Sequence, residues 1–301
     1  MTELIVKDED LTPMKGKVVI VTVYAPMSSF SLLRPSCVGG SSGIGLATVE
    51  LLQSVGAWVV NGDVQAPSRK FDGGYRFVRT DVAKWEDLLA LFKEAKKICG
   101  RIDHVFANAG IGPRTDYLST RLDKNGDLME PPSQVLDINL KGVIKTSTLA
   151  IHHLRQQSGG GSIVITGSAT GLQRFRAVDY ATAKHAVLGF GRGLVPLLET
   201  AQLPIRVNIL APSWTDSQVL PSLKSLLESI DVEVQAASVV ARCAAYLMVD
   251  SLKNGQLIHV QHGRCREVDE SVLLPAYEEK IKGIDFPSED EVLKRLVASA
   301  A

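Results

Sequence analysis

The sequence predicts an α/β protein with a doubly wound, parallel seven-stranded sheet and helices on both of its faces. Short β-branched runs alternate along the chain with longer stretches of helical periodicity, which is the pattern of a parallel sheet. A glycine-rich turn comes between the first of these runs and an apolar helical stretch. We see no internal repeat and no clean linker, so one domain is expected for the 301 residues.

The individual elements follow from these runs. The predicted strands are Lys17–Thr22, Ala57–Asn61, Tyr75–Arg79, Asp103–Ala107, Ser162–Thr166, Ile205–Leu210 and Gln256–Val260. Helices are expected near 43–54, 84–98, 132–156, 179–199 and 234–249. The core of the domain then spans about 15–263, and 264–301 is a C-terminal extension whose packing the sequence does not define.

Two stretches do not fit a minimal sheet of this kind. Residues 112–131 are polar with Gly and Pro, which indicates a loop near the ligand end of the strands. Residues Val23–Val38 separate the first strand from the glycine turn, where a tight turn is normally needed. Without them the sequence reads KGKVVIVTGGSSGIG, an uninterrupted strand, turn and helix. We interpret 23–38 as a looped-out insertion, which could weaken cofactor binding, or as a misread gene boundary.

Composition excludes several classes of function. Lys plus Arg equals Asp plus Glu, at 33 each, so no net charge attracts nucleic acid or an anionic membrane. The N-terminus lacks the layout of a secretory signal, and no apolar run approaches the ~20 residues that cross a bilayer. Four cysteines without CxxC spacing favour the cytoplasm. No metal site is expected, because His152 and His153 are adjacent and His259 and His262 have no matching ligands.

The glycine cluster predicts a dinucleotide site. A Cβ in this turn would keep the backbone away from a pyrophosphate, and the helix that follows offers free N–H donors and a positive dipole end. Its position after a strand and before a helix is that of the Rossmann fold, although a plain turn has the same letters. The residues expected to bind the cofactor here are Gly39, Ser41, Ser42, Gly43, Ile44 and Gly45.

Acidic residues after the next two strands extend this site. Asp63 stands eighteen residues beyond Gly45, where a carboxylate can accept both adenosine ribose hydroxyls and repel a 2′-phosphate, favouring NAD over NADP. The alternative is a solvated aspartate at the strand end. Asp81 and Val82 could hold the adenine, although Asp81 fits a helix cap nearly as well.

The segment Ala107-Asn108-Ala109-Gly110 closes the fourth strand. Small residues would let the chain pass against the cofactor, so Asn108, Ala109 and Gly110 are assigned to its site, and Asn108 is expected to stabilise the central strands. A plain strand-terminating turn is the alternative.

Tyr180 and Lys184 lie four residues apart on a predicted helix, so both side chains project from one face. A free phenol has a pKa of about 10, and a nearby ammonium lowers that pKa by stabilising phenolate. We therefore expect Tyr180 to give or take a proton near neutral pH. The pair alone also fits an ordinary amphipathic helix.

Four ordered motifs now resemble one family: GGSSGIG, ANAG, DINLKG and Ser followed by Tyr-x-x-x-Lys. From about Lys15 to Gly263 the chain is similar to the short-chain dehydrogenases/reductases. The resemblance implies catalytic Asn139, Ser168, Tyr180 and Lys184, with Ser168 orienting the substrate oxygen and Asn139 holding a water–Lys proton relay. It implies that Lys184 also binds the nicotinamide ribose, and that Pro212 and Thr215 hold the carboxamide. Homodimers or homotetramers are expected as well.

The implied reaction is hydride transfer between NAD(P)(H) and the carbon of an alcohol or ketone, with Tyr180 exchanging the proton of the oxygen. Two features depart from the usual pattern of the family. The gap between Ser168 and Tyr180 is one residue shorter, and Ser213 stands where the family usually has Gly, so the sequence does not establish the usual turn geometry at Ser213. The segment SQVLPSLKSLLESI (217–230) is expected to be a mobile, apolar lid and indicates a hydrophobic substrate. The chain also resembles tailoring enzymes of secondary metabolism, but a shared fold does not identify the substrate. The alternative is a catalytically impaired dinucleotide-binding, structural or regulatory protein.

Overall fold

Every strand in the described part of the chain belongs to one sheet. The computed structural model describes residues 3–23, 43–217, 223–283 and 285–299. Its strands are Glu3–Leu4 (β1), Val18–Thr22 (β2), Trp58–Asp63 (β3), Tyr75–Arg79 (β4), His104–Ala107 (β5), Gly161–Thr166 (β6), Ile205–Pro212 (β7), Leu257–Gln261 (β8) and Arg264–Glu267 (β9). Across the sheet they follow the order β1-β9-β8-β7-β6-β5-β2-β3-β4.

The seven strands from β4 to β8 in this order pair in parallel, as the sequence predicts. The chain leaves β2 for β3 and β4 on one side and later returns to place β5 on the other side. The order therefore reverses between β2 and β5, and a crevice opens at the carboxyl ends of these two strands. Such a switch point is where open α/β sheets bind ligands.

The prediction of seven strands is wrong in number, because β1 and β9 add an antiparallel edge to the sheet. β9 pairs with β8, and β1 pairs with β9. The β8–β9 connection is a two-residue turn in which His262 and Gly263 both have positive φ, 48° and 75°. These are short edge strands, and Arg264–Glu267 has no run of apolar residues, so neither carries the signal of a buried strand.

The helices agree with the expected positions. The α-helices are Gly43–Ser54 (α1), Trp85–Cys99 (α2), Gln134–Leu136 (α3), Gly142–Leu154 (α4), Val178–Thr200 (α5), Leu223–Glu228 (α6), Ala237–Val249 (α7), Leu274–Ala276 (α8) and Glu289–Ser299 (α9). The helix expected over 132–156 consists of α3, a π-helical stretch Asp137–Lys141 and α4. Further π-helical stretches are Asp269–Leu273 and Tyr277–Lys282, and 3-10 helices cover Glu9–Met14 and Ala169–Leu172.

The two larger apolar cores of the described residues lie on opposite faces of the sheet, because alternate strand residues point to opposite sides. Ile20, Val105 and Ile163 pack in one core with residues of α2, α4 and α5. Val21, Phe106 and Val164 pack in the other with residues of α1 and α7. The strand ends are thereby fixed from both sides, which gives the crevice rigid walls.

The structure describes the segments between and after the predicted elements to different extents. Within 112–131 the chain forms no helix or strand beyond a single bridge between Leu122 and Leu128. Of the segment 23–38, Val23 continues the path of β2 and donates its N–H to Gly62 O at 2.8 Å, whereas 24–38 lies outside the described residues. Of the expected lid, 218–222 also lies outside them, and α6 follows. The extension 264–301 contains β9, α8 and α9, and α9 has no buried residue.

None of the helices in the described ranges combines the length and the apolar character needed to span a bilayer.

Candidate active site

A cavity of about 380 Å³ lies at the carboxyl ends of β2, β5, β6 and β7. Eight of the eighteen residues that the sequence assigns to the site line it, namely Ile44, Asn108, Gly110, Ser168, Tyr180, Lys184, Pro212 and Thr215. They come from five separate parts of the sequence and meet because parallel strands end at the same edge of the sheet. This volume is within the range of small-molecule sites.

In the first turn of α1, Gly43 and Gly45 lie so close to neighbouring residues that neither has room for a side chain. A Cβ on Gly45 would lie 2.5 Å from Val23 Cγ2 and 2.9 Å from Asn108 Nδ2. Gly43 has φ +57°, and a Cβ there would lie 2.7 Å from Ser217 Cβ. The structure thus gives a steric reason for these two glycines. The other residues predicted in this turn, Gly39, Ser41 and Ser42, lie outside the described residues.

The two acidic positions differ in their surroundings. Asp63 ends β3 and is fully buried, with its Oδ1 accepting the N–H of Gln65 at 3.3 Å, so the alternative of a solvated aspartate is wrong. Asp81 Oδ1 accepts the N–H of Ala83 at 3.0 Å, whereas the cap position of α2 is Lys84, so the helix-cap alternative is wrong as well. The Val82 side chain is buried in the core.

Asn108 joins two strands at the point where they diverge. Its Nδ2 donates to Thr22 O at 3.3 Å, and its Oδ1 accepts from the Thr166 hydroxyl at 3.0 Å. The amide therefore spans from the end of β2 to the end of β6. Ala109 is buried beside it, and a Cβ on Gly110 would lie 3.4 Å from Asn139 Oδ1.

Asn139 lies in the π-helical stretch and faces the interior. Its Oδ1 accepts from Ile111 N and its Nδ2 donates to Ile111 O, both at 2.8 Å, and the side chain is fully buried. The simpler alternative, a surface asparagine, is therefore wrong. A π-helical turn is a common way to orient a functional side chain in a helix, and here it lets the amide hold the chain just beyond Gly110.

Tyr180 and Lys184 lie on consecutive turns of α5, and Lys184 Nζ is 5.7 Å from the centre of the Tyr180 ring. Lys184 is buried and donates to Thr166 O at 2.8 Å. Ser168 comes two residues after β6 and caps the 3-10 helix Ala169–Leu172, where its Oγ accepts from Thr170 N at 3.2 Å. Hydroxyl, phenol and ammonium thus border one cavity.

The comparisons with known proteins identify the family of the chain. A family model described as short chain dehydrogenase matches residues 36–227, more than half of the chain. The chain belongs to the short-chain dehydrogenase family. It is 48% identical over 305 residues to the short-chain dehydrogenase/reductase ascJ of Acremonium egyptiacum, covering 99% of this chain and 96% of that protein.

Solved structures extend the likeness to the fold. A crystal structure of levodione reductase superposes with a TM-score of 0.66 at 25% identity, over 83% of this chain and 97% of that one. The 3-ketoacyl-(acyl-carrier-protein) reductase from Brucella melitensis, complexed with NADH, gives 0.64 at 22% identity, over 82% and 97%. The sequence-based assignment to an oxidoreductase family with a Rossmann-type sheet is confirmed.

One expectation for this short-chain dehydrogenase is wrong in the structure, namely that Lys184 lowers the pKa of Tyr180. Burial raises the pKa of Tyr180 above its ordinary value, and a hydrogen bond with Ser168 opposes that rise. The geometry gives the reason, because the ammonium lies over the ring and donates to the Thr166 carbonyl. The phenol is therefore held in its protonated form at neutral pH.

Burial also changes the ammonium itself. It lowers the pKa of Lys184 from 10.5 to about 8, because the low-dielectric surroundings disfavour the charged form. Lys184 remains mostly protonated at neutral pH and loses its charge in mildly alkaline solution. Burial thus favours the neutral form of both groups. It keeps the proton on the phenol and makes the ammonium easier to deprotonate.

The segment after β7 is held by a short hydrogen-bond network. The Thr215 hydroxyl donates to Ser213 O at 2.8 Å and accepts from Gln235 Nε2 at 3.1 Å, while Ser213 N donates to Val260 O at 2.8 Å. The backbone φ angle of Ser213 is not positive. The turn therefore does not need the glycine that is usual in the family.

Sequence reasoning missed Asp179, the residue before Tyr180. This buried carboxylate accepts from Arg114 N and Thr115 N with one oxygen, both at 2.9 Å, and from Tyr180 N with the other at 2.7 Å. It ties the 112–131 loop to the start of α5. An aspartate at the first turn of a predicted helix is the only signal of it in the sequence, and the partner loop cannot be read from there.

Sequence reasoning also missed two aromatic rings of the cavity. Phe175 and Trp214 both line it. Arg174 and Arg176, which flank Phe175, are exposed and are not among the lining residues. In the ranges that the structure describes, no cluster of three or more His, Cys, Asp or Glu side chains is arranged to hold a metal ion.

Proposed function

We propose that this chain transfers a hydride between a nicotinamide dinucleotide, NAD(H) rather than NADP(H), and the alcohol or ketone carbon of a small apolar substrate. The proposal rests above all on the fact that Ser168, Tyr180 and Lys184 border one cavity beside the first turn of α1. A role in secondary metabolism stays a prediction.

The described residues fit a dinucleotide. The close packing of Gly43 and Gly45 leaves backbone rather than side chain at the start of α1, as pyrophosphate binding needs. Asp63, buried at the end of β3, would accept the ribose hydroxyls and repel a 2′-phosphate, which supports NAD. Pro212, Thr215 and Asn108 would lie against the nicotinamide end, and a solved protein of the same fold was crystallised with NADH.

A bound nicotinamide would supply or accept the hydride, and the side chains would handle the proton. Tyr180, whose pKa is raised by burial, donates its phenolic proton to the substrate oxygen. Ser168 orients that oxygen by a hydrogen bond, and its hydrogen bond with Tyr180 stabilises the phenolate that remains. Asn139 fixes the backbone at Ile111 next to this group.

The first test is binding and turnover with the purified full chain. We expect NADH to bind, with enhanced nicotinamide fluorescence, and to do so more tightly than NADPH. NADH oxidation with a panel of apolar ketones should follow. Binding without any turnover would favour a catalytically impaired dinucleotide-binding protein, and absence of binding would favour a structural role.

Replacing Tyr180 by Phe is the second test. We expect the rate to fall by about 10²- to 10⁴-fold, because the ring remains over Lys184 while the proton donor is lost. The dissociation constant of NADH should change little. Tyr246→Phe on α7 is the matched control and should retain the normal rate, and a near-normal rate in Tyr180→Phe would refute the assignment.

The same proposal includes a homodimer or homotetramer in the cytoplasm. The three described cysteines, Cys99, Cys243 and Cys265, are free thiols, as a reducing compartment allows. Light scattering of the purified protein would measure the oligomeric state directly.

A further inference from the structure

The mouth of the cavity carries two aromatic rings from two different segments. Phe175 lies between the 3-10 helix Ala169–Leu172 and α5, and Trp214 follows β7. Their ring centres are 6.4 Å apart, with an angle of 58° between the planes. Both side chains line the same cavity as Ser168 and Tyr180.

These rings are only partly covered by the protein itself. Phe175 is 36% and Trp214 37% exposed, although aromatic side chains gain much by burial. The two rings belong to separate segments. The segment of Trp214 is anchored by the hydrogen bonds among Ser213, Thr215 and Gln235. Both rings thus offer apolar surface to whatever enters the cavity.

The charges of the cavity restrict the substrate further. Of the described residues that line it, Lys184 alone carries a charge, and its ammonium already donates to Thr166 O. Gln173 and Thr170 are polar but neutral. Because that ammonium lies over the Tyr180 ring, a carboxylate or phosphate bound elsewhere in the cavity would lose its hydration without a counter-ion beside it, which is costly. The cavity therefore selects an uncharged molecule.

We propose that Phe175 and Trp214 determine specificity by packing together against one face of an aromatic ring that bears the reacting ketone or alcohol, because ring centres 6.4 Å apart leave no room for a third ring between them. This inference rests on the proposed function. Aromatic rings attract one another at centre distances of 4.5–7 Å in tilted or offset arrangements, so two tilted rings can both contact a third. In the reductive direction the carbonyl carbon gains the hydride of NADH, which becomes NAD⁺, and the oxygen gains the proton of Tyr180.

The test compares two methyl ketones with the same number of carbons, 2-acetylnaphthalene and 2-dodecanone, in the presence of NADH. Variants Phe175→Ala and Trp214→Ala should each lower kcat/KM for the aryl ketone by about tenfold, mainly through KM, and change the linear ketone by less than about threefold. The ratio of kcat/KM for the aryl ketone to kcat/KM for the linear ketone is compared between each variant and the wild type, which cancels the different intrinsic reactivities of the two ketones. Trp85→Ala, a ring of equal exposure outside the cavity, is the control and should change neither value.

Leucine at the same two positions keeps apolar bulk but removes the flat ring. These variants should also lose the preference for the aryl ketone, and they replace the alanine variants if the latter unfold. An unchanged preference in all four variants overturns the inference while the proposed function stands. Failure of the wild type to bind NADH instead overturns the proposed function.

If NADH binds but neither ketone is reduced, the dissociation constants of the two ketones in the presence of NAD⁺ decide. Tighter binding of 2-acetylnaphthalene that is lost in Trp214→Ala supports the ring site. Equal binding of both ketones overturns it.

Discussion

Tyr180 and Lys184 illustrate how burial sets the chemistry of single side chains. The two groups lie one helical turn apart, yet the pKa of the phenol is raised while that of the ammonium falls to about 8. Both shifts have desolvation as their largest cause, because the neutral form of each group is the one that tolerates low dielectric. The spacing in the sequence locates the pair, whereas its protonation follows from the surrounding packing.

The lowered pKa of Lys184 predicts how activity depends on pH. Because the pKa falls from 10.5 to about 8, half of the ammonium is lost near pH 8 instead of 10.5. We expect kcat/KM for ketone reduction to decrease as pH rises through 8, since Lys184 then loses the charge with which it would hold the nicotinamide ribose. Lys184→Arg, which stays protonated above pH 12, should be slower but should not show this inflection. A wild-type profile that is flat from pH 7 to 9.5 would contradict the prediction.

The elements around the site are held together by contacts between distant segments. Asp179 at the first turn of α5 binds two backbone N–H groups of the 112–131 loop, from Arg114 and Thr115. The loop also supplies Pro113 to the cavity wall. The carboxylate thus fixes the distance between this wall and the helix that carries Tyr180.

We predict that Asp179→Ala loosens the loop while leaving the cofactor site intact. Amide hydrogen exchange at Arg114 and Thr115 should become faster, and kcat/KM should fall by about tenfold, because three partly buried N–H groups lose their acceptor. NADH affinity should stay near the wild-type value. Asp116→Ala, which removes only an exposed bond to Leu118 N in the same loop, is the control. Equal exchange rates in both variants would contradict the prediction.

The two ends of the described chain on either side of residues 24–42 lie close together. Val23 touches the position where a Cβ of Gly45 would lie, so the strand end and the helix start are in contact. We predict that a protein without 23–38 still folds and binds NADH at least as tightly, because the shortened connection, TGGSSGIG, has only a short distance to span. NADH titration measures this, and a variant without 24–38 tests whether Val23 is needed for the sheet. Loss of the folded state in both variants would show that the segment is required.

The sequence predicts helices and strands well where burial gives their apolar residues a regular spacing. The parallel strands and long helices are found within about three residues of their expected ends, because each must bury one face or both. The edge strands β1 and β9 lack that signal. Ser168, Tyr180 and Lys184 could be found because their motif is local. The contacts of Asp179 with Arg114 and of Phe175 with Trp214 could not, because they join segments 65 and 39 positions apart.

At the scale of the whole molecule, one buried histidine links stability to pH. His104 on β5 bonds Ser162 Oγ through Nδ1 at 2.9 Å, and its pKa is lowered to about 3, chiefly by burial. In the unfolded chain it takes a proton below about 6.5. The unfolded state therefore binds more protons between pH 6.5 and 3, and the free energy of unfolding falls as pH decreases through this range.

We predict that His104→Leu reduces this acid sensitivity. Between pH 6.5 and 5 the histidine accounts for a loss of about 2 kcal/mol, since each unit of pH contributes about 1.4 kcal/mol. Urea unfolding at pH 7.5 and 5 should show a smaller difference for the variant than for the wild type. His185→Leu, a partly exposed histidine on α5, is the control and should keep the wild-type difference. Identical pH dependence in the His104 variant and the wild type would contradict the prediction.

The central place of β2 has a practical consequence for anyone who expresses this enzyme. The family match begins at residue 36, yet Val18–Thr22 pairs with β3 on one side and β5 on the other. A polypeptide that begins at residue 36 and keeps the rest of the chain would leave a slot through the middle of the sheet, with two rows of backbone groups lacking partners. Such a fragment should aggregate or accept a synthetic peptide carrying residues 3–23, which would make the enzyme divisible into two complementing pieces.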